Sequence, residues 1–364
     1  MTINGKEVTV EQGRTILEAA LSADIYIPTL CYHQDLTPYG GCRLCIVEVE
    51  GMRGMPTACT TPATNGMVVR TDTEALNDVR RTTLELILSS HPCLCLTCNR
   101  RDRCGPNDIC LRQVAVTDRC VTCPSNGVCE LQQVVDYLGL TEVTIPMDER
   151  PREVDRSNPF FDLDRTRCIL CSRCVRTCQE ITGVGAIDMS FRGFDMKVAT
   201  FGDGQLMESI CRSCGECVVR CPVGALTFKD STRPDYEVKT VCPYCGVGCS
   251  MYLGVKNGKI VSVRGDRDGA ANHGRLCVKG RFGIAEFVNH HERLKTPLIR
   301  RDGELVETTW DEALDFVAEK LAAFKGDEIA VISSAKATNE DNYIVQKLAR
   351  AVLDTHNVDH CARL

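Results

Sequence analysis

The chain opens with "MTINGKEVTVEQG", in which apolar and polar residues alternate on either side of Asn4-Gly5. A period of two puts successive side chains on opposite faces of a strand, and Asn-Gly supplies the backbone angles of a tight turn, so two strands joined by a hairpin are predicted at once. A helix is predicted near 14 to 23 and a strand at 44 to 50. Much later, "SMYLGVKNGKIVSVRG" alternates around Asn257-Gly258 and predicts a second hairpin.

From about residue 308 the period changes. "TWDEALDFVAEKLAAF" pairs Thr309 with Glu312 as a capping box and carries apolar residues at 310, 313, 314, 317, 321 and 324, the signature of an amphipathic helix. "EIAVISSA" reads as a short apolar strand, and "NEDNYIVQKLARAVL" as a helix with residues 345, 348 and 352 on one face. Strand followed by helix opens an α/β domain, and with at most one such strand laid down the domain is expected to be unfinished. The ending "NVDHCARL" follows that helical run directly and closes on apolar Leu364.

Composition narrows the class. The 364 residues suffice for two or three domains, and 43% hydrophobic with 25% charged residues is globular. A net charge of −6 gives no basic footprint for nucleic acid. No stretch approaches the roughly 18 apolar residues of a membrane span, and no secretory leader opens the chain, so a cytoplasmic, reducing setting is expected. The 25 Cys are then metal ligands before they are disulfides.

Four regions carry them. Cys31, Cys42, Cys45 and Cys59, spaced C-x10-C-x2-C-x13-C, place two ligands close together on a Gly-containing loop and two at a distance, as a [2Fe-2S] rhomb needs; a zinc ribbon would prefer two CxxC knuckles. Next, His91, Cys95, Cys98 and Cys104 form H-x3-C-x2-C-x5-C, which suits a [4Fe-4S] cubane with one imidazole, Cys93 being the rival for the fourth position. A neutral His in place of a thiolate is expected to raise the potential of such a cluster. Cys110, Cys120, Cys123 and Cys129 form a second candidate quartet; alternatively these thiols are structural, or the two halves share one cluster.

The third region is the most specific: Cys168, Cys171, Cys174 and Cys178 follow C-x2-C-x2-C-x3-C, and Cys211, Cys214, Cys217 and Cys221 repeat it before Pro222. In such a run the fourth Cys crosses to the other cluster. One cubane is therefore expected on Cys168, Cys171, Cys174 and Cys221, and the other on Cys211, Cys214, Cys217 and Cys178. Gln179 stands where Pro is usual. The fourth region, Cys242, Cys245, Cys249 and Cys277, has its last ligand returned to the first three by the Asn257-Gly258 hairpin, and Lys279 sets a cation two residues beyond. Six clusters would take 24 ligands, leaving only Cys361 and the loser of His91 and Cys93 unassigned.

With these motifs in hand, the chain resembles the N-terminal part of the catalytic subunit of a selenocysteine-type, molybdopterin-dependent formate dehydrogenase. Residues 1 to about 140 are similar to the iron-sulfur N-terminus of the large NADH:quinone oxidoreductase subunit, 160 to 230 look like the bis-cubane ferredoxin insert, and 238 onward looks like the start of a molybdopterin oxidoreductase domain. The resemblance implies an α+β multidomain iron-sulfur protein: a β-grasp [2Fe-2S] ferredoxin domain (1-78), a small cubane-binding domain (79-150), a bacterial 2x[4Fe-4S] ferredoxin domain (151-233), the [4Fe-4S] domain of a molybdopterin oxidoreductase (234-300), and the incomplete start of its α/β domain (301-364). It implies one [2Fe-2S] and four or five [4Fe-4S] clusters, with Mo- or W-bis(molybdopterin guanine dinucleotide) in the full-length subunit. Lys279 would bridge the last cluster and the pterin. The substrate would be formate or CO2, and the electron partner an NAD(P)-linked flavoprotein, a hydrogenase or a ferredoxin. It further implies that a selenocysteine ligand, encoded by UGA, would follow Leu364, so that residues 1 to 364 alone would not turn over formate. The other reading is an electron-transfer subunit of an NADH:quinone oxidoreductase or an NAD-reducing hydrogenase.

Overall fold

The computed structural model describes residues 1–92, 94–147 and 152–360, so Cys93 and Cys361 lie outside the described residues. The chain divides into two compact units, Met1–Lys229 and Asp230–Leu364.

In the first unit the N-terminal hairpin forms: β1 (Thr2–Ile3) and β2 (Lys6–Glu7) pair antiparallel across Asn4 and Gly5, both at positive φ. Helix α1 (Ile16–Ser22) starts at Thr15, whose hydroxyl accepts from the Glu18 amide while the Glu18 carboxylate accepts from the Thr15 amide. Two donors that a helix start leaves open are thereby satisfied. β3 (Glu48–Val49) is shorter than the predicted 44 to 50, because the carbonyls of Leu44 and Ile46 face the side chain of Arg80 instead of a strand. β4 (Val68–Arg70) runs parallel to β1 and antiparallel to β3, giving the order β2-β1-β4-β3. Ile3, Ile16, Leu17, Val47 and Val69 fill the core of this layer.

Helix α2 (Glu74–Leu88) is capped by Thr73 and buries Leu84 and Leu88 against Leu131, Val134 and Leu138 of α3 (Glu130–Leu138). α3 ends at Gly139, whose φ of 63° is the left-handed cap that a residue with a Cβ would resist. Beyond it come β5 (Val154–Asp155), β6 (Phe161–Asp164), the short helix α4 (Arg173–Arg176), the hairpin of β7 (Asp188–Ser190) and β8 (Lys197–Ala199), the short helix α5 (Glu216–Val219) and β9 (Leu226–Phe228). β5, β6 and β9 form one antiparallel sheet with β6 in the middle.

The second unit begins with the antiparallel sheet β10 (Tyr236–Val241), β11 (Ser250–Lys256) and β12 (Lys259–Gly265), the last two joined through Asn257 and Gly258 at positive φ, as the alternation predicts. Helix α6 (Ile284–Asn289), the hairpin of β13 (Leu298–Arg301) and β14 (Glu304–Glu307), α7 (Trp310–Leu321), β15 (Val331–Ser333), α8 (Asn339–Lys347) and β16 (Val358–His360) follow. The expectation of at most one parallel strand is corrected here: β15 and β16 pair in parallel, Val331 opposite Val358. The apolar stripe of α7 forms but stays exposed, with Trp310 67% and Leu314 58% accessible. Among the described residues no helix is long and apolar enough to cross a membrane.

Candidate metal centres

None of the described cysteines is in a disulfide. Nor, among the described residues, do three donors converge on one point as a single metal ion requires. The donor sets are therefore judged against polynuclear cores, whose thiolates bind different irons.

Cys31, Cys42, Cys45 and Cys59 come together between the loop after α1 and the turn before β4. Hydrogen bonds from Cys42 and then Cys59 hold the Cys31 thiol far below its ordinary value, and one from Cys59 lowers Cys45. The partner thiols Cys42 and Cys59 are pushed up by the same bonds. The amides of Leu30 and Cys42 point at the sulfurs of Cys42 and Cys31, each at 3.5 Å. Arg80, fully buried on α2, fastens the loop by donating to the carbonyls on either side of Cys45, to Leu44 at 3.0 Å and to Ile46 at 2.7 Å.

In the ferredoxin-like region the two cysteine runs fold as repeats. Leu170 and Ser172 in the first, and Ser213 and Gly215 in the second, sit at positive φ, curling each loop so that its amides turn inward. The Leu170 amide points at Cys168 sulfur and the Ser213 amide at Cys211 sulfur, both at 3.4 Å. Burial raises the thiols of Cys168, Cys171 and Cys174, and the nearby Cys221 raises all three further. Cys178 stands with the other run, adding to the upward push on Cys211 and Cys217, while Cys214 is their neighbour. Cys221 thus lies near the first run as well as near Cys217, and Cys178 lies near the second run.

Three arginines that the cysteine spacing does not single out lie inside these runs: Arg173 between Cys171 and Cys174, Arg176 between Cys174 and Cys178, and Arg220 just before Cys221. All are buried, at 3%, 8% and 4% accessible, and each leaves its Nε without a hydrogen-bond partner. Arg173 is forked to the Glu130 carboxylate at 2.6 and 2.7 Å; Arg220 meets Glu216 at 2.5 Å and Asp35 at 2.8 Å. A buried cation costs several kcal/mol unless it is compensated; Arg173 and Arg220 have carboxylate partners, whereas Arg176 donates only to carbonyls, and an anionic iron-sulfur core would supply its counter-charge and acceptors for all three Nε groups. The residues present therefore fit such cores. The signal available in the sequence was the placement of arginines within CxxC runs.

Between residues 91 and 129 the structure groups the candidates differently from either predicted quartet. Cys95, Cys98, Cys104, Cys110 and Cys120 surround one cavity. His91 lines another, with Thr117, Thr122 and Arg167. The Cys120 thiol hydrogen bonds to Cys95, which pulls Cys95 down to about 6 and pushes Cys120 up. Cys129, raised to about 11 by burial, has Cys123 and Cys221 as charged neighbours, and the following amide of Glu130 donates to Pro222 carbonyl at 2.9 Å.

In the second unit Cys242, Cys245, Cys249 and Cys277 lie near one another: burial raises Cys242, with Cys277 and Cys245 adding to it, and burial raises Cys249, with Cys242, Cys245 and Cys277 adding to it. The Cys242 amide donates to Cys249 carbonyl at 2.9 Å, closing the C-x2-C-x3-C loop at the mouth of β10 and β11. Gly280 packs against Cys242, and Lys279, exposed, opens the turn Lys279–Gly283.

Residues 1–74 match the family described as 2Fe-2S iron-sulfur cluster binding domain, and 158–227 match NADH-quinone oxidoreductase subunit 3, ferredoxin-like domain. Residues 235–290 match the Molybdopterin oxidoreductase Fe4S4 domain, and 293–364 match Molybdopterin oxidoreductase. The whole chain aligns at 38% identity with 40% of a Rhizobium meliloti (strain 1021) protein named as a G-type subunit of NADH-quinone oxidoreductase. It aligns at 33% identity with 39% of a Staphylococcus aureus (strain USA300) protein bearing the name "Putative formate dehydrogenase". The chain thus spans about 40% of the length of these curated relatives. Among solved structures, a chain of an NAD+-reducing [NiFe]-hydrogenase in the H2-reduced state is similar at TM-score 0.52 and 32% identity, covering 63% of this chain and 86% of that one.

Proposed function

This chain belongs to the family of iron-sulfur oxidoreductases that includes the matched hydrogenase chain, and it continues into molybdopterin oxidoreductase sequence; on that premise we propose that it is the electron-carrying portion of a formate dehydrogenase catalytic subunit. In this reading Cys31, Cys42, Cys45 and Cys59 hold a [2Fe-2S] cluster. Cys168, Cys171, Cys174 and Cys221 hold one [4Fe-4S] cluster, Cys178, Cys211, Cys214 and Cys217 a second, and Cys242, Cys245, Cys249 and Cys277 another. Further cubanes lie between His91 and Cys129.

The observation that carries the proposal is the coexistence of the tandem ferredoxin run with the Cys242 to Cys277 set followed by Lys279. The resemblance leads one to expect only one of the two in a pure NADH-linked carrier, yet the Rhizobium meliloti protein named for NADH-quinone oxidoreductase aligns with the whole chain and so with both. A Mo or W ion on bis(molybdopterin guanine dinucleotide), when bound in the full-length subunit, supplies the two-electron exchange with formate or CO2. The cysteine sets of this chain would divide those electrons into single steps, and the buried arginines would bias the charge of the clusters beside them. Lys279 places a cation beside the last cluster, where a pterin would approach. The electrons leave to an NAD(P)-linked flavoprotein, a hydrogenase or a ferredoxin.

A second reading, a carrier subunit in an NADH-linked complex, is favoured by the 38% identity with the Rhizobium meliloti protein named for NADH-quinone oxidoreductase. The test uses a full-length protein that contains this chain, freeze-quenched after anaerobic mixing with formate or with NADH plus the flavoprotein partner. Cluster reduction by formate alone supports the first reading; reduction only through NADH supports the second. Residues 1 to 364 by themselves are expected to bind about 22 iron atoms with one [2Fe-2S] and five cubanes and to show no formate turnover.

A further inference from the structure

Nine candidate donors run from His91 to Cys129, Cys93 among them outside the described residues, and the two quartets suggested by the spacing of the other eight do not correspond to two places in the fold. The cavity around Cys95, Cys98 and Cys104 includes Cys110 and excludes His91. We propose that these two residues exchange roles: Cys95, Cys98, Cys104 and Cys110 hold one [4Fe-4S] cluster through thiolates alone, and His91 joins Cys120, Cys123 and Cys129 on a second. The assignment rests on the iron-sulfur reading above and is independent of the formate chemistry.

Three observations carry it. First, Cys110 is held at the cavity by the loop that follows it, its sulfur receiving the Val114 amide at 3.4 Å. With it the sequence C-x2-C-x5-C-x5-C is a complete ligand set in sixteen contiguous residues of chain, 95 to 110.

Second, His91 is linked to the other group through a shared neighbour, although none of Cys120, Cys123 and Cys129 lines its cavity. Its cavity is bordered by Thr117 and Thr122 of the segment that leads into Cys123, and by Arg167. The same Arg167 lies beside Cys123: a Cβ placed on Gly224 would meet Cys123 sulfur at 2.4 Å and Arg167 Cδ at 3.6 Å. His91 and Cys123 thus approach one arginine. The ring is also oriented as a ligand. His91 Nδ1 lies 3.1 Å from Pro92 carbonyl, an acceptor, so Nδ1 carries the proton and Nε2 keeps its lone pair. Metal-bound imidazoles are fixed in this way by a hydrogen bond from the other nitrogen.

Third, Cys120 belongs with Cys123 although it also borders the first cavity. The two are the ends of one C-x2-C turn, closed by a hydrogen bond from the Cys123 amide to Cys120 carbonyl at 3.0 Å, and such turns present both sulfurs to one core. The contact of Cys120 with Cys95 then makes the two clusters neighbours, and the hydrogen bond from the Glu130 amide to Pro222 carbonyl brings Cys129 toward Cys221 of the ferredoxin pair.

The test uses the complete 364-residue chain, reconstituted anaerobically with iron and sulfide, labelled with 15N-histidine and reduced with dithionite for pulsed EPR. One cubane is expected to show a direct histidine nitrogen coupling, lost in His91→Ala. Cys123→Ser is expected to remove or reshape that coupled signal, whereas Cys98→Ser and Cys110→Ser leave it intact and remove an uncoupled one. Loss of the coupled signal in Cys98→Ser with survival in Cys123→Ser overturns the assignment, as does the absence of histidine coupling in the unmodified chain. Unchanged [2Fe-2S] and ferredoxin signals show that each variant has folded. Should a serine variant lose those as well, the double exchange His91→Cys with Cys110→His decides: the coupling must move to a cluster with different g-values, and coupling that stays on the original g-values, or fails to reappear, overturns the proposal. Absence of every cluster from the unmodified chain would instead refute the iron-sulfur reading itself.

Discussion

The guanidinium of Arg176 donates to the backbone carbonyl of Cys31 at 2.5 Å, joining residues 145 positions apart. The same side chain reaches Thr37 carbonyl, and Glu180 accepts from the Thr37 amide at 2.8 Å. One turn of the ferredoxin-like region thus grips the loop of the first cysteine set. A cation buried at that junction favours an added electron on either side of it.

Replacing Arg176 should therefore be read in potentials. Arg176→Gln is expected to lower the potential of the [2Fe-2S] cluster by on the order of 100 mV, the scale of a unit charge about 7 Å away at an effective dielectric of about 20. Arg176→Lys keeps the charge but not the fork, so it should preserve most of the potential while loosening the loop. EPR-monitored redox titration measures both, and unchanged potentials in the Gln variant would refute the electrostatic role.

The curled cysteine loops predict opposite effects at equivalent positions. Gly215 at φ 75° and Ser172 at φ 63° occupy matching places in the two runs. Gly215→Ala should destabilise its cluster, and Ser172→Gly should be neutral or mildly stabilising, each by about 1 kcal/mol. The rate of cluster bleaching in guanidinium, followed by absorbance, gives the order; faster loss in Ser172→Gly than in Gly215→Ala would contradict it.

Gly265 closes the sheet of the second unit against the loop that returns Cys277. A Cβ there would lie 2.1 Å from Gly274 carbonyl oxygen, a backbone atom with no side-chain freedom to yield. Gly265→Ala should cost about 1–3 kcal/mol or more through overpacking and shed the cluster on Cys242, Cys245, Cys249 and Cys277 before any other. Iron analysis of the purified variant should show the loss of about four atoms; full occupancy would show that the loop can shift.

Glu85 supplies a pH-dependent tether. Its carboxylate accepts from Thr144 hydroxyl at 2.6 Å and Thr144 amide at 2.7 Å, and the hydroxyl bond first, then the amide, holds it below its ordinary value of 4.5. A depressed carboxylate stabilises the fold fully above that value and loses its contribution as pH falls through the folded value. Exchange of the Thr144 amide, corrected for its intrinsic rate, should accelerate as pH drops below about 4.5, and Glu85→Gln should flatten the profile. An identical profile in the variant would exclude the tether.

Whatever depends on local period and spacing is written in the chain itself. Asn4-Gly5 and Asn257-Gly258 force turns wherever the chain goes, Thr15 and Thr309 start helices by satisfying nearby amides, and the two C-x2-C-x2-C-x3-C runs leave their thiols little choice of partner. Contacts between distant segments follow a different logic and emerge only on packing. Residues 44 to 47 fall short of a continuous strand because Arg80, on α2, takes the carbonyls of Leu44 and Ile46, leaving the Cys45 carbonyl and Val47 amide to pair with residues 56 to 58. Arg176 and Arg220 acquire meaning only beside Cys31 and Asp35. The spacing H-x3-C-x2-C-x5-C groups His91 with Cys95, Cys98 and Cys104, and nothing along the chain points to Cys123 instead. Only the placement of His91 beside Arg167, and of Cys110 at the cavity it shares with Cys95, does so, because a ligand's core is chosen by reach in space and not by distance along the chain.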